Sequence, residues 1–503
     1  MPTLFAAFPI LLLLILMIVF RWSGTRSGIL SWLAALILAM IFFGLTPEVL
    51  VVSQLKGLIF SVYVLGVLWP ALMLYHLNNE TGGIDALTTW LGTQIADRAL
   101  LVILIAWTFT GVLEGIAGFG LPIAVAAPMM VSLGMPAVLS VSAAAIGNAW
   151  SVTFGNMGMV FQTLVSLSGY PESQIVPFAA AMMGIACLLC GLSVACILGE
   201  MRHWRMIMII AVIMSLSQYL IAAGGLLPLS GFGASLLGLI SGILLSRKTR
   251  PEVGNLPMPK AFKATLASYS ILAFITLVIF MDGPIHRFLF PFYWRMEFPE
   301  VTTLTGMITP AGSGQIFRWF SYPGTIIMVG ILISQYLFLR VKVGDGASFK
   351  AAFQKTYKTA LPVTLGIMAT VGLSVMMDHA GMTQLLAETL SNATGKVFPV
   401  ISPIIGMVGA FATGSNTNSN VLFVSLQKQI AGLISVFPVI LIATQTAGGS
   451  LGSMIAPSKL IVGCSNVGLV GKEGQVLRKT LPYGLAIGSL IGLVGWILTA
   501  IIR

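Results

Sequence analysis

Apolar runs of membrane-spanning length recur along the whole chain and are separated by short polar segments. A helix of about 20 apolar residues crosses the hydrocarbon layer of a bilayer, where every backbone hydrogen bond must be satisfied internally. The pattern therefore predicts an all-α polytopic membrane protein that forms one integral membrane domain over residues 1–503. About twelve full spans are predicted, at residues 4–20, 28–44, 56–77, 138–168, 175–199, 205–225, 229–246, 264–282, 321–340, 359–378, 433–465 and 482–502.

Two further apolar pairs, 99–133 and 398–431, are interrupted by Gly-rich or polar residues, and we interpret each as a re-entrant hairpin. The alternative, two full crossings in such a pair, would leave the predicted orientation of the other spans unchanged. The second interruption, 409–420, combines Gly with Ser, Thr and Asn between two apolar flanks. Irregular backbone at membrane depth survives only where it is buried in protein or lines a watery cavity. Ser, Thr and Asn side chains hydrogen-bond both backbone and ligand. The run 409–420 is therefore the predicted position of a bound substrate.

The Lys and Arg residues predict the orientation. Five basic clusters fall in loops that the crossing count places on one side of the membrane, and the positive-inside rule makes that side cytoplasmic. Both termini, and the segment 283–320, are then predicted to be extracytoplasmic. The clusters are Arg21 and Arg26; Arg202 and Arg205; Arg247, Lys248, Arg250, Lys260 and Lys263; Arg340, Lys342, Lys350, Lys355 and Lys358; and Lys472, Arg478 and Lys479.

An internal repeat is visible in the order of the segments. With an offset of 298 residues, Gly83 aligns with Gly381. In both copies a span is followed by an amphipathic arm, an interrupted apolar pair and a second span broken by Gly and polar residues. The predicted breaks are 147–158 in the first copy and 444–454 in the second.

The loop charges predict that the two copies are inverted in the membrane. Repeat 1 covers about 56–199 and repeat 2 about 359–502, with connecting helices over 200–358. Inverted repeats with paired helix breaks are typical of transporters that alternate access around a site near the bilayer midplane.

Composition narrows the function. Hydrophobic residues make up 57% of the chain and charged residues 8%, whereas a typical soluble domain has about 25% charged residues. The net charge of +11 does not indicate nucleic-acid binding, because the basic residues lie in short loops between spans. No nucleotide-binding or metal-binding motif is present, so we expect no cofactor and no metal. Membrane lipid and a small solute are the expected partners, and the oligomeric state stays open between monomer and homodimer.

Glu114 lies in the first interruption, within the segment EGIAGFGLPIA at 114–124. An isolated carboxyl group at membrane depth is costly and is a functional candidate by default. Because burial favours the neutral form of a carboxyl group, Glu114 is a candidate proton carrier. The alternative is a protonated Glu that only fixes the loop backbone.

Polar residues at the two breaks and in the run 409–420 form the candidate substrate-binding set. Their amides and hydroxyls suit a carboxylate, a hydroxyl or a dehydrated cation, and helix N-termini at such breaks favour an anion. Individually, each could serve instead as a cap or a packing contact. The set is Asn148, Ser151, Thr153, Asn156, Ser415, Asn416, Thr417, Asn418, Ser419, Asn420, Thr444, Gln445, Thr446, Ser450 and Ser453, with the glycines Gly115 and Gly118.

Three further charged residues are candidates. Lys459 has the most apolar surroundings of the Lys residues, and it either attracts an anionic substrate or snorkels to the cytoplasmic interface. Asp378 and His379 lie at the predicted outer end of a span, where charged groups are tolerated. They are either structural or a proton relay, and with Glu114 they form the candidate proton-coupling set.

Three motifs resemble the L-lactate permease family: EGIAGFGLPIA at 114–124, GNAWSVTFGNMG at 147–158 and GGSLGSMIAPSK at 448–459. The resemblance covers nearly the whole chain. It implies a non-enzymatic carrier of the bacterial inner membrane that imports L-lactate, D-lactate and glycolate by proton symport. It also implies inverted repeats and re-entrant hairpins, because the family is grouped with the ion transporter superfamily. The triplet Ser415, Asn416 and Thr417 is similar to the Ser-Asn-Thr motif of divalent anion symporters, where it binds carboxylate and sodium.

The resemblance implies that a 2-hydroxy monocarboxylate lies between the break at 148–156 and the tip at 415–420, while Glu114 takes up the proton. One proton per monoanion makes the cycle electroneutral. Two rival functions remain. One is a sodium-coupled dicarboxylate carrier. The other is an antiporter-like subunit of a proton-pumping complex, which would require charged residues in the middle of several spans, and this chain has few.

Overall fold

The computed structural model describes residues 2–20, 22–95, 97–116, 118, 120–249, 258–280 and 283–502. Arg21 and Arg250, two of the basic residues that orient the chain, lie outside these ranges.

Helix is the main element, as the apolar pattern predicts. The helices are α1 (Pro2–Ile18), α2 (Gly24–Phe42), α3 (Pro47–Glu80), α4 (Gly83–Gln94), α5 (Arg98–Leu104), α6 (Thr110–Ile116), α7 (Leu121–Ser132), α8 (Ala137–Asn148), α9 (Met159–Ser168), α10 (Glu172–Leu198), α11 (Trp204–Ala223), α12 (Leu227–Thr249), α13 (Lys260–Phe280), α14 (Pro284–Leu289), α15 (Pro323–Val341), α16 (Gly346–His379), α17 (Met382–Thr394), α18 (Phe398–Thr413), α19 (Asn416–Leu433), α20 (Pro438–Met454), α21 (Pro457–Ser465) and α22 (Glu473–Ile501), with a π-helical turn (Ile105–Phe109) between α5 and α6.

Among the described residues, 13 helical segments are long and apolar enough to cross a membrane. The prediction of a polytopic helical membrane protein is therefore confirmed. The number of spanning segments differs from the predicted twelve because three segments were assigned differently. The first predicted span, 4–20, corresponds to a shorter apolar helix, whereas Arg98–Gly115 and Met382–Thr413, which overlap the predicted hairpins, are each of spanning length.

The two longest helices, α3 and α16, have 34 residues each and begin at capped N-termini. Thr46 caps α3 by accepting from the Val49 N–H at 3.2 Å. Asp345 caps α16, and its carboxylate accepts from both the hydroxyl and the amide of Ser348 at 2.7 Å. These hydrogen bonds hold the pKa of Asp345 below its usual value. The caps explain why both helices extend well beyond the predicted spans.

The helices pack in two groups. In one, α3 lies along α16, with α2 against α16 and α15 against α3. A Cβ on Gly57 of α3 would lie 3.5 Å from the Cα of Gly372 in α16, so the small residues let these helices approach closely. In the other group, α10 contacts α8, α11 and α20, and α18 packs against α20 and α22. Helix α20 is buried from Val439 to Met454, which places it at the centre of this group.

The segment between α14 and α15 contains the strands found in the described part of the chain. Strands β1 (Tyr293–Trp294), β2 (Glu297–Phe298) and β3 (Val301–Thr302) pair antiparallel with β6 (Phe317–Arg318), β5 (Gly312–Ser313) and β4 (Ile308–Thr309), respectively. The nested pairs form one interrupted β-hairpin. Its tip is attached to the α2–α3 connection, because the Leu304 N–H donates to Gly44 O at 2.8 Å. The all-α prediction missed this hairpin because two-residue strands leave no alternating apolar pattern.

At both predicted interruptions one helix ends and the next begins within a few residues. α6 ends at Ile116 and α7 begins at Leu121, while α18 ends at Thr413 and α19 begins at Asn416. The run 409–420 is therefore helical apart from residues 414–415, and the irregular segment is shorter than predicted. Ser, Thr and Asn after the turn form the first turns of α19 rather than a loop.

The second predicted break is displaced. Residues 444–454 are helical, α20 continues to Met454, and the interruption falls at residues 455–456. The predicted position was wrong because the glycines there serve close packing rather than chain reversal. A Cβ on Gly448 would lie 1.8 Å from Pro403 O of α18, so only glycine allows α18 and α20 to approach this closely.

Candidate functional site

Glu114 is fully buried in α6 and is hydrogen-bonded to two asparagines of the first break. Asn148 Nδ2 donates to Glu114 Oε2 at 2.8 Å, and Asn156 Nδ2 donates to Oε1 at 3.4 Å. Asn156 Oδ1 also accepts from the Gly118 N–H in the first hairpin turn. These four residues, which we call the carboxyl cluster, join the carboxyl group to the hairpin turn and to both sides of the helix break.

The break between α8 and α9 is at the predicted position and has strained backbone. Two short 3-10 turns, Ala149–Ser151 and Asn156–Gly158, replace regular helix. Asn156 and Met157 have φ angles of +50° and +53°. Left-handed backbone at a residue other than glycine costs about 1–3 kcal/mol and persists only where the surroundings fix it. Asn tolerates this conformation better than most residues, and here it directs the Asn156 amide towards Glu114.

The glycines of the first hairpin differ in what they contact. A Cβ on Gly118 would lie 2.3 Å from Glu114 Oε1 and 2.6 Å from Asn156 Nδ2. A side chain at position 118 would therefore displace the carboxyl cluster. A Cβ on Gly115 would instead lie 2.6 Å from the Cα of Phe232 in α12. The structure thus brings Gly118 into the cluster and assigns Gly115 to helix packing.

A second buried group, which we call the amide cluster, joins the start of α19 to α20 and to the first break. Asn416 Nδ2 donates to Thr153 Oγ1 at 3.1 Å and to Thr446 O at 3.0 Å. Thr153 Oγ1 also donates to Thr446 O at 3.2 Å. Gln445 Nε2 donates to Ser419 Oγ at 3.2 Å. These five residues come from three segments that are far apart in the sequence, so the tertiary fold assembles the cluster.

Lys459 lies in the first turn of α21 and is buried, with 7% of its surface exposed. Its Nζ donates to Met454 Sδ at 3.2 Å and to Ser453 Oγ at 3.4 Å. Asn148 Nδ2 lies 3.3 Å from the same sulfur, so the ammonium group is one side chain away from the carboxyl cluster. Asn148, which donates to Glu114, and Lys459 therefore meet at Met454. The ammonium group lies inside the protein, and the interfacial alternative for Lys459 is therefore not observed.

Both hairpin turns reach the second break, where Lys459 is located. A Cβ on Gly120, whose φ is +87°, would lie 3.6 Å from Lys459 Cγ. A Cβ on Gly414, whose φ is +71°, would lie 2.3 Å from Ser458 Oγ. Positive φ and close approach both require glycine at such turns. The two hairpins and the two helix breaks therefore meet in one buried region.

Three predicted residues on α8–α9 and α20 have supporting contacts. Ser151 Oγ donates to Asn148 O at 2.8 Å, and Ser450 Oγ donates to Ala149 O at 2.6 Å. Both hydroxyls stabilise the backbone of the first break. Thr444 instead hydrogen-bonds to Ser402 of α18 at 2.9 Å, which is a contact between helices away from the carboxyl cluster.

The remaining predicted residues lie in the first turns of α19. Ser415 is half-buried and caps the helix by accepting from the Asn418 N–H at 3.3 Å. Thr417 and Asn418 are buried, and Asn420 Nδ2 donates to Val160 O of α9 at 3.4 Å. Four buried amide oxygens receive no hydrogen bond from any described residue: Oδ1 of Asn416, Asn418 and Asn420, and Oε1 of Gln445. Amide oxygens of this kind are suitable ligands for a small cation.

Asp378 and His379 lie in a different part of the protein from Glu114. They face a cavity of about 350 Å³ that Lys56 of α3 also lines. Lys56 Nζ is 3.2 Å from His379 Nε2, and Ser425 Oγ donates to Asp378 Oδ1 at 2.6 Å. None of these hydrogen bonds involves the carboxyl cluster, so the structure does not bring the three predicted proton-coupling residues together.

Sequence reasoning missed two residues beside these sites. Met454 accepts from both Asn148 and Lys459, but a Met in an apolar span carries no signal of such a role. Lys56 lies within a strongly apolar stretch of α3, and a charge in such a stretch is the signal that could have identified it. Within the described ranges, no three His, Cys, Asp or Glu side chains are grouped to hold a metal ion.

Comparison with known proteins identifies similar sequences over nearly the full length. Residues 2–502 match the family described as L-lactate permease. The L-lactate permease of Escherichia coli (strain K12) is 26% identical over 531 residues, covering 98% of this chain and 95% of that protein. The glycolate permease GlcA of the same organism is 24% identical over 539 residues, with 98% and 95% coverage.

Solved structures share the fold at lower identity. MtrF of Neisseria gonorrhoeae, described as one of a class of antimetabolite efflux pumps, superposes with a TM-score of 0.51. It is 15% identical, and the match covers 96% of each chain. At this identity the likeness concerns the fold alone.

Proposed function

The chain belongs to the L-lactate permease family, and from this premise we propose that it imports L-lactate and related 2-hydroxy monocarboxylates together with protons. It is a multi-pass protein of the bacterial inner membrane and a carrier rather than an enzyme. The names of the Escherichia coli relatives, L-lactate permease and glycolate permease, support lactate and glycolate as the substrates. The observation that carries the proton coupling is the buried Glu114 carboxyl group, whose partner Asn148 contacts the same Met454 sulfur as Lys459.

Substrate binding is assigned to the region where the carboxyl cluster and the amide cluster meet. The substrate carboxylate pairs with the Lys459 ammonium group, which donates only to a thioether and a hydroxyl in the described structure. Charge-assisted hydrogen bonds are roughly twice as strong as neutral ones. The Asn416 amide and the Thr153 hydroxyl supply neutral donors and acceptors for the 2-hydroxyl group.

Charge balance explains why one proton accompanies each monoanion. Without substrate, the Lys459 ammonium is balanced by the Glu114 carboxylate. When a monocarboxylate pairs with Lys459, a second negative charge enters the same buried region. Leaving one buried charge uncompensated costs about 3–5 kcal/mol. Proton uptake by Glu114 removes this imbalance, so the loaded carrier holds substrate and proton together.

The order of the elements supports an inverted repeat with two re-entrant hairpins. Helices α3 and α16 have the same length, and each is followed by an arm, a helical hairpin, a broken helix and a long final helix. The ion pair between Lys355 and Glu80 places the start of α16 beside the end of α3, as opposite orientations require. With the basic loops on the cytoplasmic side, both termini are extracytoplasmic, and each hairpin enters from its own side of the membrane.

Transport of L-lactate in proteoliposomes under an imposed pH gradient tests the proposal. An alkaline lumen should drive accumulation, a protonophore should abolish it, and omission of sodium should leave it unchanged. Because one proton and one monoanion cross together, an imposed membrane potential should have little effect. Accumulation that follows the potential or the sodium gradient would refute proton symport.

Sodium-coupled carboxylate transport is the second candidate function. It is favoured by the buried oxygens of Asn416, Asn418, Asn420 and Gln445, which have no hydrogen-bond donor among the described residues. Amide oxygens bind hard cations. The sodium-free arm of the same experiment separates the two functions, since only sodium coupling requires that ion.

A further inference from the structure

A cavity of about 350 Å³ lies between α3, α9, α16, α19 and the β-hairpin, away from the carboxyl and amide clusters. Ser313 and Lys428 at its rim are exposed, whereas His379 at its base has 7% of its surface exposed. One water molecule occupies about 30 Å³ of liquid. The cavity is therefore large enough for a small organic anion and several waters.

A lysine and a neutral histidine meet at the base of this cavity. His379 Nδ1 is 2.8 Å from Val375 O, and a hydrogen bond to a carbonyl oxygen requires a proton on Nδ1. His379 Nε2 is then an acceptor, and Lys56 Nζ donates to it at 3.2 Å. Because this imidazole is neutral, it does not compensate the positive charge of Lys56. In the described part of the chain, no carboxylate lies within ion-pair distance of Lys56.

Among the described residues, Asp378 is the one carboxylate that lines the cavity, and its hydrogen bonds are directed to α19. Asp378 Oδ1 accepts from Ser425 Oγ at 2.6 Å and from Gln429 Nε2 at 3.1 Å, both on α19. Lys428 adds a second ammonium group, whose Nζ donates to Ser168 O at 3.0 Å. Within the described part of the chain, two cations and one anion line the cavity, and its net positive charge attracts anions.

The cavity and the amide cluster share the helix α19. Asn416 stands in its first turn and Lys428 twelve positions later, so about 18 Å of helix separates them at 1.5 Å per residue. Helix α9 forms another wall and begins at the first break. The cavity and the region of the buried clusters therefore lie along the same two helices.

We propose that this cavity is an access site, in which Lys56 binds the carboxylate of a small monoanion before it passes to the central region. This inference rests on the proposed function, because it takes the transported substrate as the ligand. The cavity lies beside the β-hairpin and the end of α16, which the proposed orientation makes extracytoplasmic. The access site therefore serves uptake and not release.

Kinetics of the Lys56→Gln variant in sealed vesicles test the access site. KM for L-lactate added on the side of the cavity should rise roughly tenfold, since electrostatic attraction of a charged ligand changes its capture by about this factor or more. The kcat should remain unchanged, and so should KM for L-lactate added on the opposite side. Lys56→Arg should restore the wild-type KM because it restores the positive charge.

Lys396→Gln is the matched control, because Lys396 is exposed just before α18, in the loop that follows the arm α17, and does not line the cavity. It should transport like the wild type from both sides. An unchanged KM in Lys56→Gln would overturn the proposal. A lower kcat at constant KM would also overturn it, and so would equal increases in KM for L-lactate added on the two sides. Either of these two results would indicate a structural role for Lys56.

A labelling experiment separates this inference from the proposed function. Ser313→Cys places a thiol at the rim, and Cys196→Ser removes the exposed native thiol. Sodium acetate should slow the maleimide reaction of this protein relative to sodium chloride at the same ionic strength, and Lys56→Gln should abolish the difference. If the wild type does not transport L-lactate, the proposed function fails while this readout still decides the access site. Equal labelling rates in both salts would reject the site.

Discussion

Replacement of Glu114 by Gln tests proton coupling with almost no change in side-chain shape. Gln retains one oxygen that accepts from Asn148, whose Nδ2 lies 2.8 Å from the Glu114 carboxylate in the wild type. Its NH₂ group then faces Asn156 Nδ2, which is 3.4 Å from the second carboxyl oxygen, so one weak hydrogen bond is lost. In the proposed charge balance, Lys459 also loses the Glu114 carboxylate and becomes available to the substrate carboxylate.

The expected magnitudes follow from these contacts. Loss of one buried hydrogen bond costs about 1 kcal/mol, and the unpaired Lys459 adds up to about 3–5 kcal/mol until an anion binds. Transport changes more sharply than stability. One pH unit corresponds to about 1.4 kcal/mol per proton, which drives tenfold accumulation in the wild type. Glu114→Gln cannot carry the proton and should show no accumulation.

The assay compares two activities in the same proteoliposomes. Uptake of radiolabelled L-lactate driven by a pH gradient measures coupling, and counterflow exchange at equal pH measures substrate binding and the conformational change. Glu114→Gln should abolish the first and retain the second. Glu80→Gln is the matched control, since it makes the same chemical change at a carboxylate that pairs with Lys355 at the end of α3. It should retain both activities.

Equal loss of both activities in Glu114→Gln, in protein that elutes as a folded species, would refute the coupling argument. That result would assign Glu114 a structural role in holding Asn148 and Asn156. Retention of pH-driven accumulation would refute it as well, because the proton would then be carried elsewhere.

Three further variants test neighbouring features. In Gly118→Ala the new Cβ would lie 2.3 Å from Glu114 Oε1. This overpacking should destabilise the folded protein by about 1–3 kcal/mol and impair coupled uptake. Wild-type uptake would contradict this packing. Lys459→Gln should raise KM for L-lactate at least tenfold and weaken exchange, and unchanged exchange would exclude Lys459 from binding. Asp345→Ala should lower the thermal unfolding temperature at neutral pH. Since hydrogen bonds from Ser348 lower the pKa of Asp345, this stabilisation is complete above the unfolded pKa and disappears as pH falls through the lower folded value. Unfolding temperatures measured between pH 3 and 7 check this, and a difference that grows on acidification would contradict it.

The local pattern predicted the class, most helices and the first break. Hydropathy and loop charge are properties of neighbouring residues, so spans could be assigned without knowledge of their partners. The second break was misplaced because the glycines of α20 look the same whether they end a helix or allow close packing. Only the position of Pro403 O beside Gly448 distinguishes the two.

In the candidate site, too, single residues could be predicted from local sequence but their contacts could not. Glu114 and Lys459 could be selected singly, because a charge in an apolar stretch is costly wherever its partner lies. Their contacts with Asn148 and Met454, which bring them into one region, and the separation of Asp378 and His379 from Glu114, could not be predicted. Lys56 became a candidate only when α3, α16 and α19 enclosed a cavity around it.

The amino-acid sequence by itself determined that this chain is a helical carrier of the inner membrane, which polar residues interrupt its apolar stretches, and to which family it belongs. The tertiary structure decided which of those residues contact one another and which glycines bring helices together. The physical reason is one of range. Burial in lipid and the backbone preferences of a segment depend on residues a few positions away, whereas an ion pair or a cavity depends on packing between segments hundreds of residues apart.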